Sequence, residues 1–230
     1  MNRKSFFELV LLASLWGSSF LFMRIGSPEM GPFLFMALRT TIASLCLLPI
    51  LIFKKQASSL LDNWGKMLLL GAMNTAIPFV LFGYAILSLS AGVTSVLNAT
   101  TPMFGALVAY LWLKDKLSLS ATLGLFLGFI GVYFLVSDKL HNNAETVILP
   151  RLAVLGATLC YGISANYTKR YFSHAQPLAL AAGSQMSASI FLLPFGLWFL
   201  PESMPNAAAI YSIIFLGIFC TGLAYIVFFR

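Results

Sequence analysis

The chain has 230 residues, of which 60% are hydrophobic and 9% charged, with a formal net charge of +7. A soluble domain carries about a quarter charged residues, and no soluble core could hide this much apolar surface, so the composition excludes an ordinary water-soluble protein and calls for lipid as solvent. Most Lys and Arg residues fall in short joints between apolar runs, where they orient a membrane protein, so the charge is not read as nucleic-acid binding.

The apolar runs are continuous and about 20 residues long, the length a helix needs to cross a bilayer. A β-barrel would instead show short alternating segments. The expected spans are 6–26, 32–53, 65–88, 92–113, 119–138, 150–172, 177–200 and 207–230. This is an all-α, polytopic helix bundle of about eight transmembrane helices. The first run follows Arg3 and Lys4 but is too long for a signal peptide and lacks a small-residue cleavage site, so it is read as a span. The joints are Ser27-Pro28-Glu29, Lys54 to Asn63, Ser90-Ala91-Gly92, Lys114-Asp115-Lys116, Ser137 to Leu149, Ser173 to Gln176 and Pro201 to Asn206. With the N-terminus in the cytoplasm, the inside holds Arg3, Lys4, Lys54, Lys55, Lys66, Lys114, Lys116, Lys169, Arg170 and Arg230. The outside holds only Arg24, Lys139 and Arg151, so the N-terminus is expected inside.

An internal repeat organises these spans. Residues 31–53 align without gaps on residues 176–198, with Pro32 on Pro177, Ala37 on Ala182, Ala43-Ser44 on Ala188-Ser189 and Leu47-Leu48-Pro49 on Leu192-Leu193-Pro194. The same offset of 145 puts Trp16-Gly17 on Tyr161-Gly162, Ser19 on Ser164 and Arg24 on Lys169. An offset of 146 puts Leu70-Gly71 on Leu216-Gly217, Thr75 on Thr221 and Phe82 on Phe228. One unit thus holds five helices. An odd number makes the second unit enter from the opposite side, which is the inverted-repeat arrangement of secondary transporters. The expected division is 1–145, a first five-helix repeat, and 146–230, a second repeat of three helices. Five plus three reads as a C-terminally truncated form of a ten-helix design.

The first span carries Leu15-Trp16-Gly17-Ser18-Ser19-Phe20, the second Leu38-Arg39 and then Leu47-Leu48-Pro49. The fourth and fifth carry Thr101-Pro102-Met103-Phe104-Gly105-Ala106-Leu107, the turn Leu113-Lys114-Asp115-Lys116-Leu117-Ser118, and Gly124, Gly128 and Gly131. These residues resemble the EamA family of the drug/metabolite transporter superfamily. Asp115 stands where the family usually has Glu. The resemblance covers essentially the whole chain. It implies export or exchange of small metabolites such as amino acids by alternating access, in the plasma membrane, the inner one in a bacterium. The alternative, from another class, is a non-transporting membrane fragment or interaction partner.

Arg39 lies about 12 Å into its span by helix rise, where a charge faces a cavity or a partner. It is read as a substrate-carboxylate or gating residue, or as a structural clamp on hydroxyls and carbonyls, with the clamp favoured. No acidic residue occupies mid-span, which speaks against a carboxylate proton relay; Glu8, near one end of the first span, is read as an interfacial anchor. A polar set lies within the spans: Ser14, Trp16, Ser18, Asn74, Thr94, Asn98, Thr101, Tyr161, Asn166 and Gln185. Spacings of three and four put Ser14 with Ser18, and Thr94 with Asn98 and Thr101, on common helix faces. Such a stripe suits a water-lined cavity or interhelical hydrogen bonding. The expected substrate-binding residues are Trp16, Ser18, Arg39, Asn74, Asn98, Thr101, Tyr161, Asn166 and Gln185. Pro49, Pro78, Pro102 and Pro194 are candidate kinks. Gly124, Gly128 and Gly131 form a small-residue seam for close packing, with homodimerisation a secondary reading. Cys46, Cys160 and Cys220 lie in apolar runs, and His141 and His174 in loops, so no metal set, cofactor or disulfide is expected. No HExxH, GxSxG or Walker loop is present, and an enzyme is not expected.

Overall fold

The computed structural model describes residues 3–57, 63–137 and 144–228; Lys139, His141 and Arg230, named above, lie outside them. The described residues are almost entirely helical. The helices are α1 (Arg3–Met30), α2 (Pro32–Phe53), α3 (Trp64–Ala85), α4 (Ala91–Leu113), α5 (Leu119–Ser137), α6 (Ala144–Tyr171), α7 (Pro177–Trp198) and α8, which runs from Ala207–Phe215 through Leu216–Leu223 to Ala224–Phe228. Seven of them are long and apolar enough to cross a membrane, and the described part of α5 adds a shorter apolar helix, Leu119–Phe134. The fold is a polytopic helix bundle of about eight helices.

Some boundaries differ from expectation. Ser27-Pro28-Glu29 is helical rather than a joint, and the chain reverses one step later, at Gly31. There φ is +72°, a conformation that glycine adopts without steric cost. Pro32 then begins α2 with its φ already set for a helix. The sixth helix starts at Ala144, not 150.

The tightest packing joins the repeated segments. α2 and α7 have 22 residues each, start on Pro32 and Pro177, and lie against each other along their length. Small residues permit this. A methyl group added at Gly196 would come within 3.0 Å of Ala37 Cβ, and Thr41 and Ser189 share a hydroxyl hydrogen bond of 2.6 Å across the interface. Around this pair, α3 packs on α7, and α8 packs on α2. The core joins Phe35 and Met36 of α2, Leu97 of α4, Val154 of α6 and Leu216 of α8. α5 is exposed along most of its length; Gly128 faces Met103, and Phe129 meets Phe104 edge-on, both on α4.

Candidate functional site

Three helices depart from regular winding, and two of these breaks follow from proline. Pro78 has no N–H for the carbonyl of Asn74, and its ring crowds that carbonyl. The chain answers with a π-helical turn over Ala72–Ala76. Pro102 stands in the same relation to Asn98. There the helix is interrupted at Ala99-Thr100, and the Thr101 hydroxyl donates to the orphaned Asn98 carbonyl at 2.8 Å. Both asparagines, at the breaks, line one central cavity. The third break is another π-helical stretch, Leu216–Leu223, which contains the positions 146 after Ala72–Ala76. It has no proline; instead the Thr221 hydroxyl donates to the Leu216 carbonyl five residues back, at 2.9 Å.

The cavity has a volume of about 750 Å³, within the range of small-molecule sites. Its walls come from α1, α2, α3, α4, α6, α7 and α8. Cavity residues recur at the repeat offsets. Trp16 and Tyr161, Met23 and Thr168, and Arg39 and Ser184 are 145 apart; Phe79 and Tyr225 are 146 apart. The cavity is thus lined by residues from both of the aligned stretches. Tyr161 stacks on Phe82 with centroids 5.9 Å apart, and Phe20 meets Phe82 edge-on at 5.6 Å.

Arg39 is the charged group of this wall. It is 6% exposed. Its Nε donates to Thr221 Oγ1 at 2.9 Å, its Nη1 reaches Met23 Sδ at 3.8 Å, and its guanidinium lies 3.8 Å from the centroid of Phe79. A hydroxyl, a thioether and an aromatic face thus hold the cation. Among the described residues no Asp or Glu lines the cavity, and the only ion pair is Lys169–Asp115 at 2.8 Å, on the exposed surface. Burying a charge without a counter-ion costs free energy, which is offset here by the cation–π contact and the hydrogen bond.

Of the nine expected residues, Trp16, Arg39, Asn74, Asn98, Thr101 and Tyr161 line this one cavity. The other three lie outside its wall. Ser18 donates to the Leu15 carbonyl and sits 3.6 Å from Cys220 Sγ. Asn166 donates to the carbonyls of Gly105 and Gly162, at 2.9 and 2.8 Å, and ties α6 to α4. Gln185 is fully buried in α7 near Tyr225, and its amide makes no hydrogen bond of standard geometry among the described residues. Sequence reasoning missed Phe79, Ser95, Thr168, Ser184 and Tyr225 at the wall. The sequence offers a signal for one of them, because Ser184 stands 145 positions after Arg39. Phe79 and Tyr225 read as ordinary apolar positions. Arg39 is clamped by the hydroxyl of Thr221 on a distant helix, while Thr40 and Ser44, the hydroxyls near it in sequence, bond carbonyls of their own helix.

Residues 5–137 and 149–230 match the model of the EamA-like transporter family. The chain is 26% identical over 226 residues to the uncharacterized transporter YoaV of Bacillus subtilis, covering 96% of this chain and 77% of that relative. It is 26% identical over 227 residues to an uncharacterized transporter of Archaeoglobus fulgidus, covering 97% of this chain and 78% of that one. A Salmonella typhimurium protein named a probable amino-acid metabolite efflux pump is 23% identical over 195 residues, 85% of this chain and 63% of the relative. One solved crystal structure superposes with a TM-score of 0.65 at 17% identity, over 99% of this chain and 78% of that chain, a likeness of fold.

Proposed function

The chain belongs to the EamA-like transporter family of integral membrane proteins, and from that premise we propose that it exports small amphiphilic metabolites, amino acids among them, by alternating access through the central cavity. The observation that carries this reading is the cavity itself: about 750 Å³, its wall including residue pairs at offsets of 145 and 146 and combining amides and hydroxyls with aromatic rings. A site shared between two equivalent halves is what rocking of one half against the other exposes to each side in turn.

The halves are residues 1–145 and 146–230, inserted with opposite orientation. In support, Gly71 of α3 presses on Ser187 of α7 as Gly217 of α8 presses on Ile42 of α2; the partners Ile42 and Ser187 are themselves 145 apart. Pro102 and, from the π-helical turn Ala72–Ala76, Asn74 stand on the cavity wall, where a change of helix winding would open or close it. The N-terminus is cytoplasmic by the distribution of Lys and Arg, and the membrane is the plasma membrane. No covalent chemistry is involved.

Counterflow into liposomes holding the purified chain tests this, using a panel of labelled amino acids and related small carboxylic acids. Saturable exchange of at least one panel member is expected, reduced by Asn98→Ala. Exchange no faster than in empty liposomes, for every panel member, would sink the reading.

A further inference from the structure

We infer that the transported species carries a net negative charge, and that the cavity takes a small monocarboxylate with an apolar or aromatic body, whose carboxylate docks on Arg39. This rests on the transport reading above and narrows its substrate class.

The first ground is charge balance. Arg39 lines the cavity at 6% exposure, with no Asp or Glu on the same wall and no acidic partner among the described residues. Among the described residues the wall thus carries a positive charge with no acidic counter-charge in a poorly screened setting, where an arriving anion gains more than in water. The second ground is the arrangement of the guanidinium. Its Nε is occupied by Thr221, and one face lies over Phe79, which fixes the plane of the group. Among the described residues, the one hydrogen-bond acceptor of its terminal nitrogens is the Met23 sulfur, a weak acceptor at 3.8 Å. A planar cation held at one edge and one face, with its terminal donors almost unused, suits the two oxygens of a carboxylate. The third ground is the rest of the wall. Trp16, Phe20, Phe82 and Tyr161 offer aromatic surface, and Asn74 and Asn98 offer neutral amides. An ammonium group would find no carboxylate there. A zwitterion can use Arg39 but buries its own positive charge unpaired, and an amine meets repulsion from Arg39.

The energetics of export fit the same assignment. Moving an anion out of a negative-inside compartment is favoured by the membrane potential, at about 2.3 kcal/mol per charge per 100 mV. Such a flux requires no proton relay, and no span has an acidic residue at its middle.

The test uses three probes with nearly the same body and different charge: 3-phenylpropionate, phenylalanine and 2-phenylethylamine. Binding to the purified chain in neutral-lipid nanodiscs is measured by calorimetry at neutral pH. The expected order is acid, then zwitterion, then amine. The acid should bind about tenfold to a hundredfold tighter than the amine, the ratio given by one or two charge-assisted hydrogen bonds. Arg39→Gln should remove the ranking, and Arg39→Lys should restore part of it. The wild-type ranking needs no variant, so a folding defect in Arg39→Gln leaves the test intact. An amine bound as tightly as the acid, or a ranking that survives in a folded Arg39→Gln, would overturn the assignment of charge while leaving transport of some other solute standing. Failure of all three probes to bind, together with failure of the counterflow panel, would remove the transport reading and this inference with it.

Discussion

The backbone of Gly71 lies against Ser187 so closely that a methyl group on Gly71 would overlap the Ser187 Cβ and come within 2.8 Å of the Ser184 carbonyl oxygen. The repeat-related glycine, Gly217, stands the same way toward Ile42, whose Cβ would be 2.7 Å from an added methyl. These two contacts join α3 to α7 and α8 to α2, and each sits at the start of, or just before, a π-helical turn. Gly71→Ala and Gly217→Ala are each expected to lower stability by about 1–3 kcal/mol, the usual cost of overpacking. Gly124→Ala on α5, where a methyl meets nothing within 4 Å, should be neutral or gain up to about 1 kcal/mol from helix propensity. Thermal unfolding in detergent separates the two classes; equal behaviour of all three variants would contradict the close approach.

Lys169 and Asp115 form the one ion pair among the described residues, 2.8 Å long, with side chains 64% and 46% exposed. Solvent screens such a pair, and holding a long lysine side chain costs entropy, so its net worth is small. Asp115→Asn is therefore expected to shift stability by no more than about 0.5 kcal/mol. A fall of several degrees in the unfolding midpoint would show that the pair joins α6 to the α4 end more firmly than its exposure allows.

The helices were legible because each span is long and apolar. The winding within a span was harder to read. Pro78 and Pro102 announced breaks, but nothing local marks Leu216–Leu223 as π-helical; that follows from Thr221 bonding five residues back and from its distant partner Arg39. The site was legible where a polar residue stood within an apolar run, which gathered Trp16, Arg39, Asn74, Asn98, Thr101 and Tyr161. The same criterion also selected Asn166 and Ser18, because a side chain that satisfies backbone carbonyls or packs beside a sulfur looks identical in sequence to one that faces water. Phe79 and Tyr225 went unselected because an aromatic residue in a membrane span is unremarked until its neighbour proves to be a guanidinium or a cavity.

The Thr221 hydroxyl accepts from Arg39 Nε at 2.9 Å and donates to the Leu216 carbonyl at 2.9 Å, so one oxygen links α2 to the irregular turn of α8. Thr221→Val keeps the shape and removes both bonds, leaving the Nε donor of a buried cation unsatisfied. The expected loss is about 1–3 kcal/mol, and Thr221→Ser, which keeps the hydroxyl, should recover most of it. Indistinguishable unfolding midpoints for the Val and Ser variants would mean that the hydroxyl is not what holds Arg39.

Asn166 and Asn98 separate stability from binding. The Asn166 side-chain amide donates to Gly105 O on α4 and to Gly162 O on its own helix, and the residue is 6% exposed. At Gly162 the helices nearly touch, since an added methyl would lie 2.8 Å from Gly105 N. Asn166→Ala removes the donor to Gly105 O at this contact and leaves a small void, with an expected cost of about 1–3 kcal/mol. Its effect on the affinity of the folded protein should be small, because the side chain does not line the cavity. Asn98 does line it, and Asn98→Ala should weaken ligand binding while costing less stability, since the backbone carbonyl at that break is already capped by Thr101. Unfolding midpoints and binding constants measured on both variants should therefore move in opposite proportions. An Asn166→Ala protein with full stability and impaired binding would place that amide at the site instead.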